Sequence, residues 1–523
     1  MSARFFIPSR GAGWSALVIL LVLVVRFLGD GNLTGNELTK LIDARIASDP
    51  GWLPGASVRG LEAGDRQLLF RWLVGPLLHH GGFYVTSLAG RLAGYALLAA
   101  GLALLFRRLG LPLLAGLVAV LVWAGQPSLV AGEWILPGFE PKVFSYGLAL
   151  LALAGLLAPR PPWRTMAALL GLSVSCHVLV GLHATAATVL TWWMIRREVR
   201  PEFRTAAQAS ALWLVLSALA VAPALQHLAG TSLLAGAPEP GAPPASAIYV
   251  FLRAPQHLDP AHWPDGWWWR PLVAVVLLAA VYRVTDAGAV RRLILYAGAA
   301  LVPFLAGLLV ARYDHDGRWL QYYWFRYADV MVPLVAVLAL ARVVVDLGRR
   351  RPAWSRRWAL VAWLSALAWF VVQARNLALA VPRLQAVAEC GPGRSHRWAE
   401  TCAWIRGHTP EQAVFLVPPW EAESFPWLAR RPMVGTFKQV VLSGGLPAWY
   451  RKMTDLGGFP EPWPVRGYEA RHALAAAYTN LTEARAQALM ETYRADYFVT
   501  GTGRTYPWPV LYNNPDFVVY RKP

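Results

Sequence analysis

Long apolar blocks alternate with short polar or Pro/Gly-rich stretches along most of this chain. Eleven blocks read as helices, at roughly 13–29, 86–106, 111–131, 142–158, 165–181, 182–195, 206–228, 270–285, 292–311, 327–346 and 358–381. About 20 apolar helical residues cross a hydrocarbon core. The blocks are Leu/Ala/Val runs without period-two alternation, so a helical bundle is expected rather than a barrel. No small-residue cleavage site follows the first block, Gly13 to Leu28, which reads as a retained helix. The stretch 165–195 is short for two crossings. Arginines flank it on both sides, so its ends belong in one compartment, and two short helices satisfy that.

Between the first two blocks, 30–84 is a long connection with two weaker patterns. Asn36 to Ser48 places Leu38, Leu41, Ile42 and Ile46 on one helical stripe. Arg66 to Leu78 is apolar yet too short to span, and fits a helix lying at the interface. From about Ala388 the pattern becomes that of a soluble α/β domain. A helix is expected over His396–Gly407, a strand over Ala413–Pro419 and helices near Trp449 and over Glu483–Tyr493. Further strands fall at Asp496–Gly501 and Phe517–Arg521. Strands alternating with helices suggest a small sheet of Rossmann-like character, without a glycine-rich phosphate loop. The domains are thus 1–387 and 388–523.

Composition supports this division. The 523 residues are 56% hydrophobic and only 15% charged, with mean hydropathy +0.39. The net charge of +19 does not mark a nucleic-acid partner, because the 44 arginines and 5 lysines form no continuous basic face. Instead they mark topology. Eighteen arginines occupy six alternate segments: Arg4 and Arg10; Arg107 and Arg108; Arg160 and Arg164; Arg196, Arg197, Arg200 and Arg204; Arg283, Arg291 and Arg292; Arg349, Arg350, Arg351, Arg356 and Arg357. The positive-inside rule then puts the N-terminus in the cytoplasm of an inner-membrane protein, and the tail outside. There Cys390 and Cys402 are placed where a disulfide would persist. Their spacing is permissive and not diagnostic.

Ionisable residues in or beside a membrane bundle are functional candidates by default. Glu133, Glu140 and Lys142 lie at the outer mouth of the third and fourth blocks. Lysine is rare here, so Lys142 is not filler; the group fits an anion site or a bridge between helix ends. Asp30 directly follows the first block and Glu37 opens the amphipathic helix. Either carboxylate suits a general base, or else a helix cap and a solvated face. His177 and His183 fit phosphate binding, a proton relay or buried packing. Arg253, His257, Asp259, His262 and Asp265 cluster in one outer loop, where Arg253 suits a phosphate and the His/Asp set suits a divalent cation. Arg326 and Asp329 either pair with each other or leave Arg326 facing a lipid phosphate. In the tail, Trp420, Phe425, Trp427, Arg430 and Lys438 fit sugar stacking, headgroup contact or domain docking.

This layout resembles the GT-C-fold glycosyltransferases, in having a carboxylate straight after helix one, interfacial helices, a bundle and an outer α/β tail. The segments GEW…FEPKVFSYGLALLAL, CHVLVGL, RAPQHLDP, YYWFRYADVMVP and WIRGHTPEQAVFLVPP look more narrowly like an uncharacterised group of bacterial polytopic membrane proteins. The wider resemblance implies an α-helical integral membrane bundle of about 11 transmembrane helices with an extracytoplasmic α/β domain. It also implies a polyprenyl-phosphate-linked sugar donor, membrane lipids as partners, inverting transfer to a lipid or envelope acceptor, and in some members a divalent cation. Asp30 is the positional match to the family base, with Glu37 as the alternative. Lys142, Arg253 and Arg326 would clamp the phosphate. Loop one lacks a paired acidic motif, and the tail lacks a Trp-Trp-Asp-type motif. A flippase for a lipid-linked substrate or a non-catalytic envelope assembly protein would share the same architecture.

Overall fold

The computed structural model describes residues 10–28, 35–49, 51–53, 67–125, 128–133, 135–136, 138–230, 243–350, 371–375, 378, 396–419, 421–438, 445–457 and 465–522. Asp30, Cys390, Trp420 and most of the block 358–381 lie outside the described residues.

Helix α1 (Arg10–Leu23) runs into a π-helical turn, Val24–Leu28. Next come α2 (Gly35–Ser48), α3 (Leu68–Leu109), α4 (Leu113–Gly125), α5 (Pro141–Leu156), α6 (Trp163–Cys176) and α7 (Val178–Ile195). The bundle continues with α8 (Phe203–Gly230), α9 (Trp269–Val284), α10 (Gly288–Ala311) and α11 (Arg326–Arg350). Among the described residues, seven helices are long and apolar enough to cross a membrane, and α4 and α5 are shorter apolar helices. The chain is a multi-pass membrane protein. Its bundle packs through small residues, as helices must when lipid gives no hydrophobic drive between them. On α5, for example, Gly147, Ala149, Ala152, Ala154 and Gly155 are all buried.

Two local features follow from the backbone. The segment expected as a helix over Arg66–Leu78 forms the first part of α3, set off from the following span by a kink. The 42-residue element bends at Gly82, whose φ of 69° and ψ of 177° interrupt the helix and suit a residue without Cβ. The portion before the bend exposes Trp72, Leu73 and Leu77 on one side. On its other side Phe70, Val74 and Leu78 pack with Leu38, Leu41 and Ile42 of α2. Arg71 locks the two together by a forked bond to Asp43, at 2.8 and 2.5 Å. Within 165–195 the helices do divide, but at His177 rather than near Gly181. The backbone there is extended (φ −153°, ψ 104°), ending α6 and starting α7.

The tail contains α12 (His396–His408), α13 (Leu446–Gly457), α14 (Tyr468–Thr479) and α15 (Glu483–Thr492). Its four strands are β1 (Phe415–Leu416), β2 (Tyr497–Gly501), β3 (Val510–Asn513) and β4 (Phe517–Arg521), in the order β1-β2-β4-β3. Only β1 and β2 are parallel; β4 runs antiparallel to both β2 and β3. The sheet is therefore mixed, which departs from the Rossmann-like character expected. Strand alternation sends Phe415, Val499 and Val519 toward one core, with Trp398, Cys402 and the loop-one helices. Leu416, Phe498, Val518 and Tyr520 face the other core, under α13, α14 and α15. Because the first core is shared with α2 and α3, the tail is seated on the membrane part. Trp427 lies 5.0 Å from the Phe83 ring just past the bend in α3.

Candidate functional site

The candidate site forms where the α4–α5 loop meets the start of α11. Asp329 is fully buried and shapes that loop. One carboxylate oxygen accepts the backbone N–H groups of Val130 (2.8 Å) and Ala131 (2.9 Å). The other accepts the Ser128 hydroxyl (2.7 Å) and the Glu133 N–H (2.9 Å). Gly132, at φ +61°, supplies the left-handed turn inside this wrap. Asp329 thus engages the loop, while Arg326, three residues earlier, takes a different carboxylate.

That carboxylate is Glu133, 2% exposed. Arg326 Nε donates to its Oε2 at 2.9 Å, and Lys142 Nζ sits 3.2 Å from its Oε1. Lys142 also lies 3.5 Å from Glu140 Oε2. Arg326 Nη1 is 3.3 Å from His177 Nε2, which places the break between α6 and α7 in the same cluster. Beneath the guanidinium, 3.7 Å away, is the Tyr323 ring. Tyr323 holds a left-handed backbone (φ 55°), a conformation costing roughly 1–2 kcal/mol that persists where surroundings over-determine it. Its hydroxyl is 2.6 Å from that of Tyr249.

Burial would raise the Glu133 carboxyl, yet Arg326 and Lys142 hold it at about 2. His257, pushed by burial to about 4, is neutral near pH 7. Its Nδ1 is 2.7 Å from the Ala131 carbonyl, so the proton belongs on Nδ1 and Nε2 is an acceptor. Arg326 bonds through Nε and Nη1, leaving Nη2 without a protein acceptor among the described residues. The cluster is thus a set of cations fixed by a buried carboxylate, with donors left over.

Arg253 ends the π-helical turn Ile248–Arg253, one turn after Tyr249. Its Nη2 donates to the Lys438 carbonyl at 3.0 Å, and its guanidinium lies 5.1 Å from the Phe437 ring. Lys438 is half-buried, and its charged neighbours are Arg253, Glu423, Glu140 and Arg471. Burial first, then Arg253, lowers its ammonium to about 8. Lys40 of α2 acts electrostatically on His177. Two of the chain's five lysines, Lys142 and Lys438, act on Glu140 at this site. The rarity that singles out Lys142 in the sequence applies equally to Lys40 and Lys438, and was the available signal for both.

Other candidates are placed elsewhere. Glu37 is fully buried in a pair with Arg91 (2.6 Å) and also accepts the Ser87 hydroxyl, so its oxygens are engaged between α2 and α3. His183 sits along α7, with Nδ1 buried and its ring 6.5 Å from Tyr327. Asp259 pairs with Arg466 of the tail at 2.9 Å and accepts the Ala261 N–H, tying the outer loop to the tail. Asp314 accepts three backbone N–H groups, of Arg318, Trp319 and Leu320, within its own turn. Among the described residues no group of three or more His, Cys, Asp or Glu side chains is arranged to hold a metal. Between Glu133 and Glu140, where a divalent cation would bridge two carboxylates, stands the Lys142 ammonium. These residues do not fit a cation.

A family described as Domain of unknown function (DUF6798) matches residues 396–456. No curated protein matches the chain in sequence. Among solved structures, the apo oligosaccharyltransferase of Archaeoglobus fulgidus is similar at 12% identity and TM-score 0.53, covering 94% of this chain and 69% of that one. The same organism's oligosaccharyltransferase AglB, in complex with an inhibitory peptide and a dolichol-phosphate, has TM-score 0.50 at 13% identity with the same coverage. ArnT from Cupriavidus metallidurans in the apo state, 16% identical, covers 98% of both chains at TM-score 0.48. The chain has the fold of the GT-C membrane glycosyltransferases.

Proposed function

We propose that this protein is a membrane glycosyltransferase that takes a sugar from a polyprenyl-phosphate-linked donor at the outer membrane face and passes it, with inversion, to a lipid or envelope acceptor. The observation that carries this reading is the buried Lys142–Glu133–Arg326 cluster. Two cations held rigid by one carboxylate form a preorganised electrostatic site, the kind best suited to charge that develops during reaction. The arginine ladder supports an outward-facing mouth for this cluster. AglB, of the same fold, holds a dolichol-phosphate, which supports a lipid-phosphate ligand here.

In this mechanism the acceptor hydroxyl attacks the anomeric carbon while a carboxylate takes its proton. The bond from that carbon to the phosphate oxygen breaks, and its electron pair stays on the phosphate. Arg326 and Lys142 neutralise the oxyanion. Asp30, two residues beyond the Val24–Leu28 turn in sequence, is the base we assign. The geometry makes Glu37 a poorer base, since Arg91 and Ser87 engage its oxygens. A lipid-linked sugar assay with purified full-length protein tests the assignment. Asp30→Asn should abolish transfer while donor binding persists. Full transfer by that variant, or none by the unaltered chain with any labelled polyprenyl-phosphate sugar, defeats it.

A further inference from the structure

We propose that Arg253 and Lys438 form a second phosphoryl-binding subsite across the seam between the bundle and the C-terminal domain, which takes the phosphate remote from the sugar in a diphosphate-linked donor. The inference rests on the donor-phosphate reading of the Lys142–Arg326 cluster and adds the number of phosphates.

Two observations define the subsite. Arg253 Nε is buried with no hydrogen-bond partner, while its Nη2 is spent on the Lys438 carbonyl and its face on Phe437. A buried guanidinium N–H without an acceptor is costly, at about 1–3 kcal/mol or more for a charged group, and is a place where a ligand oxygen is expected. Beside it, the Lys438 ammonium forms no ion pair within 4 Å among the described residues. Glu423 of the same domain, which acts on Lys438, is paired with Arg471 at 2.6 Å.

The two cation pairs differ in compensation. Lys142 and Arg326 face Glu133 and Glu140, so that group is neutral overall. Arg253 and Lys438 keep two positive charges with no dedicated acid among the described residues. The pairs are joined by Glu140, which contacts Lys142 and acts on Lys438, and by the Tyr249–Tyr323 hydroxyl contact lying between Arg253 and Arg326. A ligand with one phosphate satisfies the first pair only. One with two adjacent phosphates reaches both, and the second adds charge where the protein carries an excess. The C-terminal domain thereby supplies part of the donor site, through a residue inside the matched segment 396–456.

The test is equilibrium binding of short-chain polyprenyl monophosphate and polyprenyl diphosphate to the purified full-length protein in detergent, with inorganic pyrophosphate as a third ligand. Unaltered protein should prefer the diphosphate lipid. Lys438→Gln, which removes a half-buried charge and so should fold, is expected to cut the diphosphate-to-monophosphate preference about tenfold or more, as one charged hydrogen bond implies. Arg253→Gln should do the same independently, and Lys438→Arg should restore most of it. Equal binding of the two lipids, or an unchanged preference in both glutamine variants, overturns the subsite and leaves the donor reading standing. Binding of neither lipid together with pyrophosphate binding that depends on Lys438 sustains the subsite and removes the lipid donor.

Discussion

Arg326 and Glu133 stand 193 residues apart in the chain and 2.9 Å apart in space, joining the start of α11 to the α4–α5 loop in a pair that is nearly closed to solvent. Glu133 also faces Lys142, so the carboxylate holds two cations that would otherwise repel. Breaking a buried pair by removing one partner costs about 3–5 kcal/mol, because the survivor is left uncompensated. Glu133→Gln should therefore lower the midpoint of thermal unfolding in detergent and weaken donor binding together. Arg326→Gln should weaken donor binding at least as strongly. The pair is merely structural if Arg326→Gln loses stability yet binds donor like the unaltered protein.

Acid should reproduce part of that effect. The Glu133 carboxyl is held at about 2, below its ordinary 4.5, so its ionised form stabilises the fold at neutral pH. That contribution is complete above 4.5 and disappears as pH falls toward 2. An unfolding series from pH 6 to 3 should show a decline that is shallower in Glu133→Gln. Parallel curves would mean that other carboxylates govern acid loss.

Asp329 gives a separate prediction, since its oxygens accept four bonds from the 128–133 loop. Asp329→Asn presents an NH2 group to donors that need an acceptor, and hydrogen bonds to charged groups are worth about 1.5–3 kcal/mol each. Stability should fall by a few kcal/mol, and Glu133 should lose its position although it is unaltered. Hydrogen exchange localised to residues 128–133 is the readout. Protection there equal to that of the unaltered chain would show that the loop holds itself.

How legible these residues are in sequence follows from how local their causes are. The apolar blocks predict the helices well because burial in lipid is a local demand, and the division of 165–195 follows from its flanking arginines. The patterns on either side of Gly82 read as separate helices, and the backbone breaks between them; what is less legible is the positive-φ glycine that turns one into the other. Strand β3 lies in TYPWPVLYNN, where prolines and asparagines hide a short edge strand recruited only by β4. Glu133, Lys142, Arg253 and Arg326 stand out as expensive charges near a membrane. Their partners do not: nothing near Asp329 indicates that it serves loop amides 196 to 199 residues away, nor near Arg253 that its neighbour is Lys438.

Glu37 and Arg91 separate a scaffold role from a catalytic one. They are fully or almost fully buried and 2.6 Å apart, joining α2 to α3. Glu37→Ala should destabilise by about 3–5 kcal/mol. The Glu37→Ala/Arg91→Ala double variant should recover part of that loss, because no uncompensated charge remains. Activity should then track the folded fraction. A Glu37→Gln protein that unfolds normally but transfers no sugar would make Glu37 the base in place of Asp30.

Lys438 supplies the last prediction, through the sign of its titration. Burial and Arg253 lower its ammonium to about 8 from an ordinary 10.5, against the smaller opposing pull of Glu423 and Glu140. Between those values the folded, unliganded chain binds fewer protons than the unfolded chain, so stability should rise as pH climbs from 8 toward 10.5. Anion binding should move the opposite way, weakening as pH passes 8, because the deprotonated amine no longer attracts a phosphate. Diphosphate-lipid affinity measured from pH 6.5 to 9.5 should therefore fall near 8 in the unaltered protein. It should stay flatter in Lys438→Arg, whose guanidinium remains charged throughout. Identical profiles for the two proteins would place the titrating group elsewhere and remove Lys438 from the anion site.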